Sequence, residues 1–283
     1  MKTQKRNLAI ALCATQAMIA SAQQEDAAPA TTSLLSTSAG VDFTSAYFFR
    51  GYLQEDDGFI AQPWFEVGAT LIEAENEDEP QLDLVIGTWN SFHSEQTGAL
   101  GGSVDSWYEN DIYAGLSLAM DQFEFGLGYT IYQYPNSTFN TVHEIGITTS
   151  YTPENETLTG IIGSPSAGVY FEVDNSNVNS DPATFFQLAL GPSHSIDDEG
   201  NTNISVPVEL GLSLSDYYEG TDDETFGYFS VGAEIDHTIP VDRVGDLTFT
   251  AGVTLLVLGD TTETANNGDE VEVLAYVGTS INF

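Results

Sequence analysis

Apolar and polar residues alternate along most of this chain, and the alternation is clearest at its end. Val271 to Phe283 reads V-E-V-L-A-Y-V-G-T-S-I-N-F. Val271, Val273, Ala275, Val277, Ile281 and Phe283 fall on one face, interrupted by Thr279, while Glu272, Leu274, Tyr276, Gly278, Ser280 and Asn282 fall on the other. A period of two residues is the signature of a strand. From Ala39 onward it recurs in segments close to the 9–11 residues of a membrane strand. They lie at 40–51, 62–73, 81–92, 107–119, 122–134, 142–152, 164–174, 183–195, 203–214, 226–237, 246–258 and 270–283. The pattern predicts an all-β chain, a transmembrane antiparallel up-and-down β-barrel of about twelve strands. An even count puts both ends of the wall on one side. Connections such as Tyr52 to Ala61, His93 to Ser106 and Ser215 to Thr225 then face outward, opposite tight turns such as Met120-Asp121.

One face of each segment is suited to lipid. The rows Leu82/Leu84/Ile86, Ile112/Ala114/Leu116/Leu118, Phe123/Phe125/Leu127/Tyr129/Ile131 and Leu247/Phe249/Ala251/Val253/Leu255/Val257 carry no charge. Aromatics gather at the outward ends, at Tyr47-Phe48-Phe49, Trp107-Tyr108, Tyr132/Tyr134, Phe185-Phe186, Tyr217-Tyr218 and Phe226/Tyr228, as an interfacial girdle requires. The opposite phase holds Asp42, Glu66, Asp83, Glu109, Asp111, Glu124, Glu144, Glu172, Glu209, Glu234, Asp236 and Glu272 among Gly, Ser, Thr and Tyr. An unpaired carboxylate in a dry interior costs several kcal/mol. A lumen lined this way is therefore expected to be wet, and a barrel of this size admits a narrow aqueous pore. A soluble β-sandwich could bury the same apolar rows, but it would not gather aromatics at one end of its strands.

Composition changes the picture in two ways. First, the single cysteine, Cys13, lies in a segment with a basic start at Lys2, Lys5 and Arg6, an apolar run from Leu8 to Ala20, and an Ala20-Ser21-Ala22 cleavage pattern. Residues 1–22 read as a secretory signal peptide, too short in its apolar run to span a membrane. Residues 23–38 read as a flexible leader and 39–283 as the barrel, which then holds no thiol and no disulfide. Second, removing the signal leaves Arg50 and Arg243 against 43 acidic residues. Such a balance excludes nucleic acid as a partner and suits a salty medium in which charge repulsion is screened.

Several stretches resemble the TorF-type porins of the outer membrane. They are Ser45-Ala46-Tyr47-Phe48-Phe49-Arg50-Gly51, Asn110-Asp111-Ile112-Tyr113-Ala114-Gly115, Gly128-Tyr129-Thr130-Ile131-Tyr132-Gln133-Tyr134-Pro135, Ser164-Pro165 followed by Val169-Tyr170-Phe171, and Pro207-Val208-Glu209-Leu210-Gly211. The resemblance implies an outer-membrane channel and brings neither a substrate nor catalytic residues. The near absence of Lys and Arg departs from a usual bacterial barrel.

Site expectations follow from the inward phase. Arg50, Glu66, Asp83, Glu109, Asp111, Glu124, Glu144, Glu172, Glu209, Glu234 and Glu272 are the candidate pore-lining residues, passing small cations or small polar solutes by diffusion. Arg50, placed at the outward end of the first strand, is either a constriction charge facing Glu66 or a neighbouring acid, or a structural cation that pairs with a lumen carboxylate and fixes the first hairpin. The alternative function is a structural or surface-interaction barrel without conduction. Enzyme signals are weak: Ser193-His194-Ser195 has no supporting spacing, and His93, His143 and His237 lie at strand ends. No cofactor is expected beyond Ca²⁺ or Mg²⁺ on acidic loops such as Asp197-Asp198-Glu199 and Asp222-Asp223-Glu224. Expected partners are outer-membrane lipid and lipopolysaccharide, met through divalent cations, and the barrel assembly machinery, met through the strand that ends at Phe283.

Overall fold

The computed structural model describes residues 34–283 apart from 75, 77–78, 96–105, 136–138, 175–181 and 220–222. The signal peptide expected at 1–22 lies outside them, as does most of the leader. The chain runs β1 (Leu35–Thr44), β2 (Tyr47–Phe49), β3 (Tyr52–Glu55), β4 (Ile60–Ile72), β5 (Gln81–His93), β6 (Trp107–Met120), β7 (Phe123–Gln133) and β8 (Val142–Tyr151). Helix α1 (Glu156–Ile162) precedes β9 (Ser166–Asp174), β10 (Thr184–Leu190), β11 (Ser193–Ser195), β12 (Thr202–Ser205), β13 (Val208–Ser215), β14 (Tyr218–Glu219) and β15 (Asp223–Glu224). Then come β16 (Phe226–Val241), β17 (Gly245–Leu258), α2 (Asp260–Ala265) and β18 (Val271–Asn282). β1 begins at Leu35, inside the stretch expected to be leader.

The wall is a closed antiparallel barrel of twelve strands. It closes where β1 pairs with β18, from Ser38↔Asn282 to Thr44↔Tyr276. Two wall strands are interrupted. β10 and β11 form one strand broken at Gly191-Pro192, and β12 and β13 form its neighbour broken at Val206-Pro207. Proline has no amide to give the ladder. The break is spanned by Val206 N donating to Pro192 O at 2.9 Å and Gly232 N to Pro207 O at 2.8 Å. α1 packs beside β11, with Gly160 against the His194 ring. Asn155 caps this helix, its side chain accepting from Leu158 N at 3.0 Å.

Alternation sorts the faces as expected. Ile112, Leu116, Leu118, Phe123, Phe125, Leu127, Phe249, Val253, Leu255, Val273 and Val277 all point outward and stay exposed. An apolar outer surface around a closed ladder leaves no unpaired sheet edge for lipid to meet. No helix among the described residues is long and apolar enough to cross a membrane; the strands cross it.

The largest departure from expectation is the first strand. It ends at Thr44, and residues 45–55 turn back into the lumen as the β2–β3 hairpin. Arg50 (φ 48°) and Gly51 (φ 86°) form its tip, both left-handed as a two-residue hairpin turn of this hand requires. Gly51 meets that demand without strain; Arg50 does not, and needs its neighbours to hold it.

Candidate functional site

Side chains alternate along β2, so its two neighbouring aromatics face opposite walls. Tyr47 belongs to a buried cluster with Ile60, Trp89, Tyr108, Tyr113 and Tyr132, while Phe48 belongs to another with Phe185, Tyr217, Tyr218, Tyr228 and Leu256. Burying each such ring contributes roughly 1.5–3 kcal/mol. Helix α2 lies over the hairpin, with the Thr262 methyl against Gly51. The loop half of the lumen is thus filled by an inward hairpin held between two aromatic clusters.

This corrects the girdle expected from the sequence. Tyr47, Phe48, Tyr108, Tyr132, Tyr134, Phe185, Tyr217, Tyr218 and Tyr228 are buried inside, whereas Trp107, stacked on Phe92, and Phe226 remain outside. The cause is parity and loop folding. Tyr132 and Tyr134 carry the inward phase of β7, and the residues around 47 and 217 leave the wall altogether.

Arg50 sits at the centre of the filled half, 3% exposed, and is not on a wall strand. Its guanidinium grips Glu144 of β8 with Nη1–Oε2 at 2.6 Å and Nη2–Oε1 at 2.9 Å. The partner is therefore Glu144 and not Glu66. The guanidinium carbon lies 4.3 Å from the Phe185 ring centroid and 4.6 Å from that of Tyr170, close enough for attraction to both ring faces. Tyr218 donates to the Arg50 carbonyl at 2.9 Å, which pins the strained tip. Desolvation works against the charge, but Glu144 and the surrounding tyrosines hold the Arg50 pKa well above its ordinary value.

Every candidate pore residue other than Arg50 occupies the inner face of the wall, and most are satisfied by a hydroxyl. Tyr47 donates to Glu109 at 2.9 Å, Tyr113 to Glu66 at 2.7 Å, Tyr132 to Glu144 at 3.0 Å, Tyr228 to Glu209 and Tyr276 to Glu234. Ser117 donates to Glu124 at 2.6 Å, Thr70 to Asp83 at 2.7 Å, Asn266 to Glu272 at 3.0 Å, and the Ala183 amide to Glu172 at 3.4 Å. The structure brings Arg50 to Glu144 and Glu109 to Asp111; Glu66, Asp83, Glu124, Glu234 and Glu272 stand apart, each with its own donor. Apart from Asp111, each of these carboxylates has a donor on at least one oxygen, which is why a filled half is tolerated.

The tyrosines are the functional residues that the acid inventory missed. Two of them build the same three-strand rung. Glu66 on β4 pairs with Gly87 on β5, which pairs with Tyr113 on β6; Glu234 on β16 pairs with Gly252 on β17, which pairs with Tyr276 on β18. The ring lies flat over the glycine to reach the carboxylate one strand further on. A Cβ at Gly87 would stand 2.5 Å from the Tyr113 ring. An inward glycine flanked by Glu and Tyr is a signal the sequence did carry.

The enzyme candidates fare as follows. His194 packs against α1, and Ser195 donates to Asp197 O and Thr202 O. His143 meets Tyr129 at 2.7 Å and His237 meets Thr202 at 2.9 Å. A serine, histidine and acid do meet elsewhere: Ser91 Oγ is 2.8 Å from His93 Nε2, and His93 Nδ1 is 3.7 Å from Glu55 Oε2. Glu55 belongs to the hairpin, so the string is complete only when the hairpin is docked, and docking leaves Ser91 with 0% exposure. In the docked state that oxygen is buried, and the contact serves as a hairpin anchor. Among the described residues no group of three or more His, Cys, Asp or Glu side chains could hold a metal ion. Asp197 of the candidate acidic loop spends its oxygens on Asn201 N and Thr202 Oγ1.

No protein-family model and no curated protein matches the chain, so the TorF-type resemblance rests on its motifs alone. Similar solved structures are outer-membrane β-barrels. An outer membrane channel from Pseudomonas putida F1 aligns with a TM-score of 0.48 at 11% identity, over 91% of this chain and 100% of that one. OmpF of Salmonella typhi in complex with daunomycin gives 0.38 at 9% identity, over 88% and 97%. The NanC porin gives 0.36 at 10%, over 87% and 98%. The closed twelve-stranded wall with an apolar exterior is that of an outer-membrane protein.

Proposed function

We propose that the protein is a channel for passive diffusion of small cations or small polar solutes, closed at its loop end by the β2–β3 hairpin. The observation that carries this reading is the Arg50–Glu144 pair: one hairpin tip and one wall strand joined by two bonds across the lumen. In a barrel whose inner face is otherwise acidic, moving that hairpin removes the only inward cation among the described residues and leaves a negative interior, which concentrates cations. The filled loop half supports the second reading, a barrel that never conducts.

Planar-bilayer recording separates the two. The wild-type protein is expected to show rare or small openings. Replacing residues 46–55 by a short Gly-Ser loop should give a steady, cation-preferring conductance. If neither protein conducts while both keep the heat-modifiable mobility of a folded barrel, the non-conducting reading stands.

A further inference from the structure

Glu109 and Asp111 are neighbours on the inner face of β6, two residues and about 7 Å apart along the strand. They are 1% and 3% exposed, and their carboxyl groups come within hydrogen-bond reach of each other. Two carboxylates are acceptors only, so such contact demands something positive between them. Neighbouring groups do not supply it. Tyr47 and Tyr134 both donate to Glu109, Tyr47 at Oε2, but Glu109 Oε1 and Asp111 Oδ1 have no partner. Nor does Thr130 Oγ1, which is 1% exposed and belongs to the inner face of β7, one step diagonal from Asp111 across the Asp111↔Tyr132 pair. Arg50, the nearest fixed cation, has both terminal nitrogens committed to Glu144.

We infer that Glu109 and Asp111 hold one divalent cation, of Ca²⁺ type, between their open oxygens, with the Thr130 hydroxyl as a further oxygen donor. All the donors are hard oxygens, the class Ca²⁺ selects, and a cation of two charges neutralises both carboxylates. A single shared proton would leave one negative charge buried. Mg²⁺, which gives up its waters reluctantly, suits the enclosed position less well. With only two carboxylates the site belongs in the weak class of Ca²⁺ sites, with a Kd on the order of 10⁻⁴–10⁻³ M. It is independent of conduction, since a permanently closed barrel would bind in the same place.

Trp89 pairs with Asp111 across β5 and β6 and provides the reporter. The experiment titrates Tb³⁺ into detergent-solubilised, folded protein, reads emission sensitised at the tryptophan band, and then adds Ca²⁺. Wild type is expected to show emission that Ca²⁺ quenches and that falls severalfold in Trp89→Phe. Glu109→Gln/Asp111→Asn should lose that Trp89-dependent part at least tenfold, while Asp197→Asn/Asp198→Asn, which removes acids from an exposed turn, should keep it. As a second readout, millimolar Ca²⁺ should raise the unfolding temperature of wild type and not of the double variant. Heat-modifiable mobility checks that each variant is folded; should the double variant fail that check, Thr130→Val, expected to weaken the Tb³⁺ signal severalfold, takes its place. Trp89-dependent emission that is absent from wild type, or survives in Glu109→Gln/Asp111→Asn, overturns the site. So does a wild-type unfolding temperature that responds to acid but not to Ca²⁺, the behaviour of a shared proton.

Discussion

Arg50 and Glu144, 94 positions apart in the chain, close on each other with two parallel N–H···O bonds at the centre of the filled half of the lumen. Because neither side chain reaches water, removing one partner leaves the other charged and alone. Arg50→Ala should therefore weaken hairpin docking by about 3–5 kcal/mol. Limited proteolysis within residues 45–59 should become much faster in this variant. Arg50→Met/Glu144→Gln, which removes both charges, should recover most of the protection. Equal cleavage of wild type and Arg50→Ala would show that the aromatic clusters alone hold the hairpin.

The Glu66–Gly87–Tyr113 rung predicts a position intolerant of the smallest side chain. Gly87→Ala forces the Tyr113 ring off the wall and costs Glu66 its donor, a loss of roughly 1–3 kcal/mol from overpacking. The unfolding temperature should fall. Gly87→Ala/Tyr113→Phe should be no worse than the single glycine variant, because the hydrogen bond is already lost.

Glu55 gives the hairpin a pH dependence of defined sign. Burial pushes its carboxyl pKa above the ordinary glutamate value, against the Asp57 amide that donates to it at 3.0 Å. A raised folded-state pKa favours the docked hairpin at low pH. The contribution is complete below the unfolded-state pKa and disappears as pH climbs through the raised value. Protection of residues 45–59 from protease should fall as pH rises through that window, and Glu55→Gln should flatten the profile.

Neutralising the inner acids tests selectivity. In any conducting form, including the hairpin-replaced protein, Glu66→Gln, Glu109→Gln and Asp111→Asn together should shift the reversal potential in a salt gradient toward zero. The shift should be largest at low salt, where screening is weakest. An unchanged potential would place the permeation path elsewhere.

The wall was legible in the sequence because its period of two is imposed by the backbone, whatever the partner. The boundaries of β5, β6, β7 and β17 follow the alternation closely, as do the outward rows and the inward acids. What the lumen holds was not legible. Tyr47-Phe48-Phe49 continues the alternation of β1, so nothing local separates a strand end from an inward hairpin; the Arg50-Gly51 pair marks the turn, but only to a reader already suspecting one. Phase places Arg50 on a strand it does not occupy, so a pairing with some lumen carboxylate could be expected but Glu144 could not be singled out. The aromatic plug depends on contacts between residues far apart in sequence, such as Tyr47 with Trp89 and Phe185 with Tyr228, and periodicity carries no such information.

The β1–β18 pairing makes the wall a ring with no privileged starting point. Phe283 N donates to Thr37 O at 2.9 Å, so the last residue and the first strand already share a rung. A circularly permuted chain, joined there by a short linker and opened at the tight Asp121-Gln122 turn, would keep every wall hydrogen bond except those at the new ends. Closure of the wall would then no longer depend on where the chain is opened. A permuted protein that keeps the heat-modifiable mobility of the folded wall would show that the seam is held by its pairing alone.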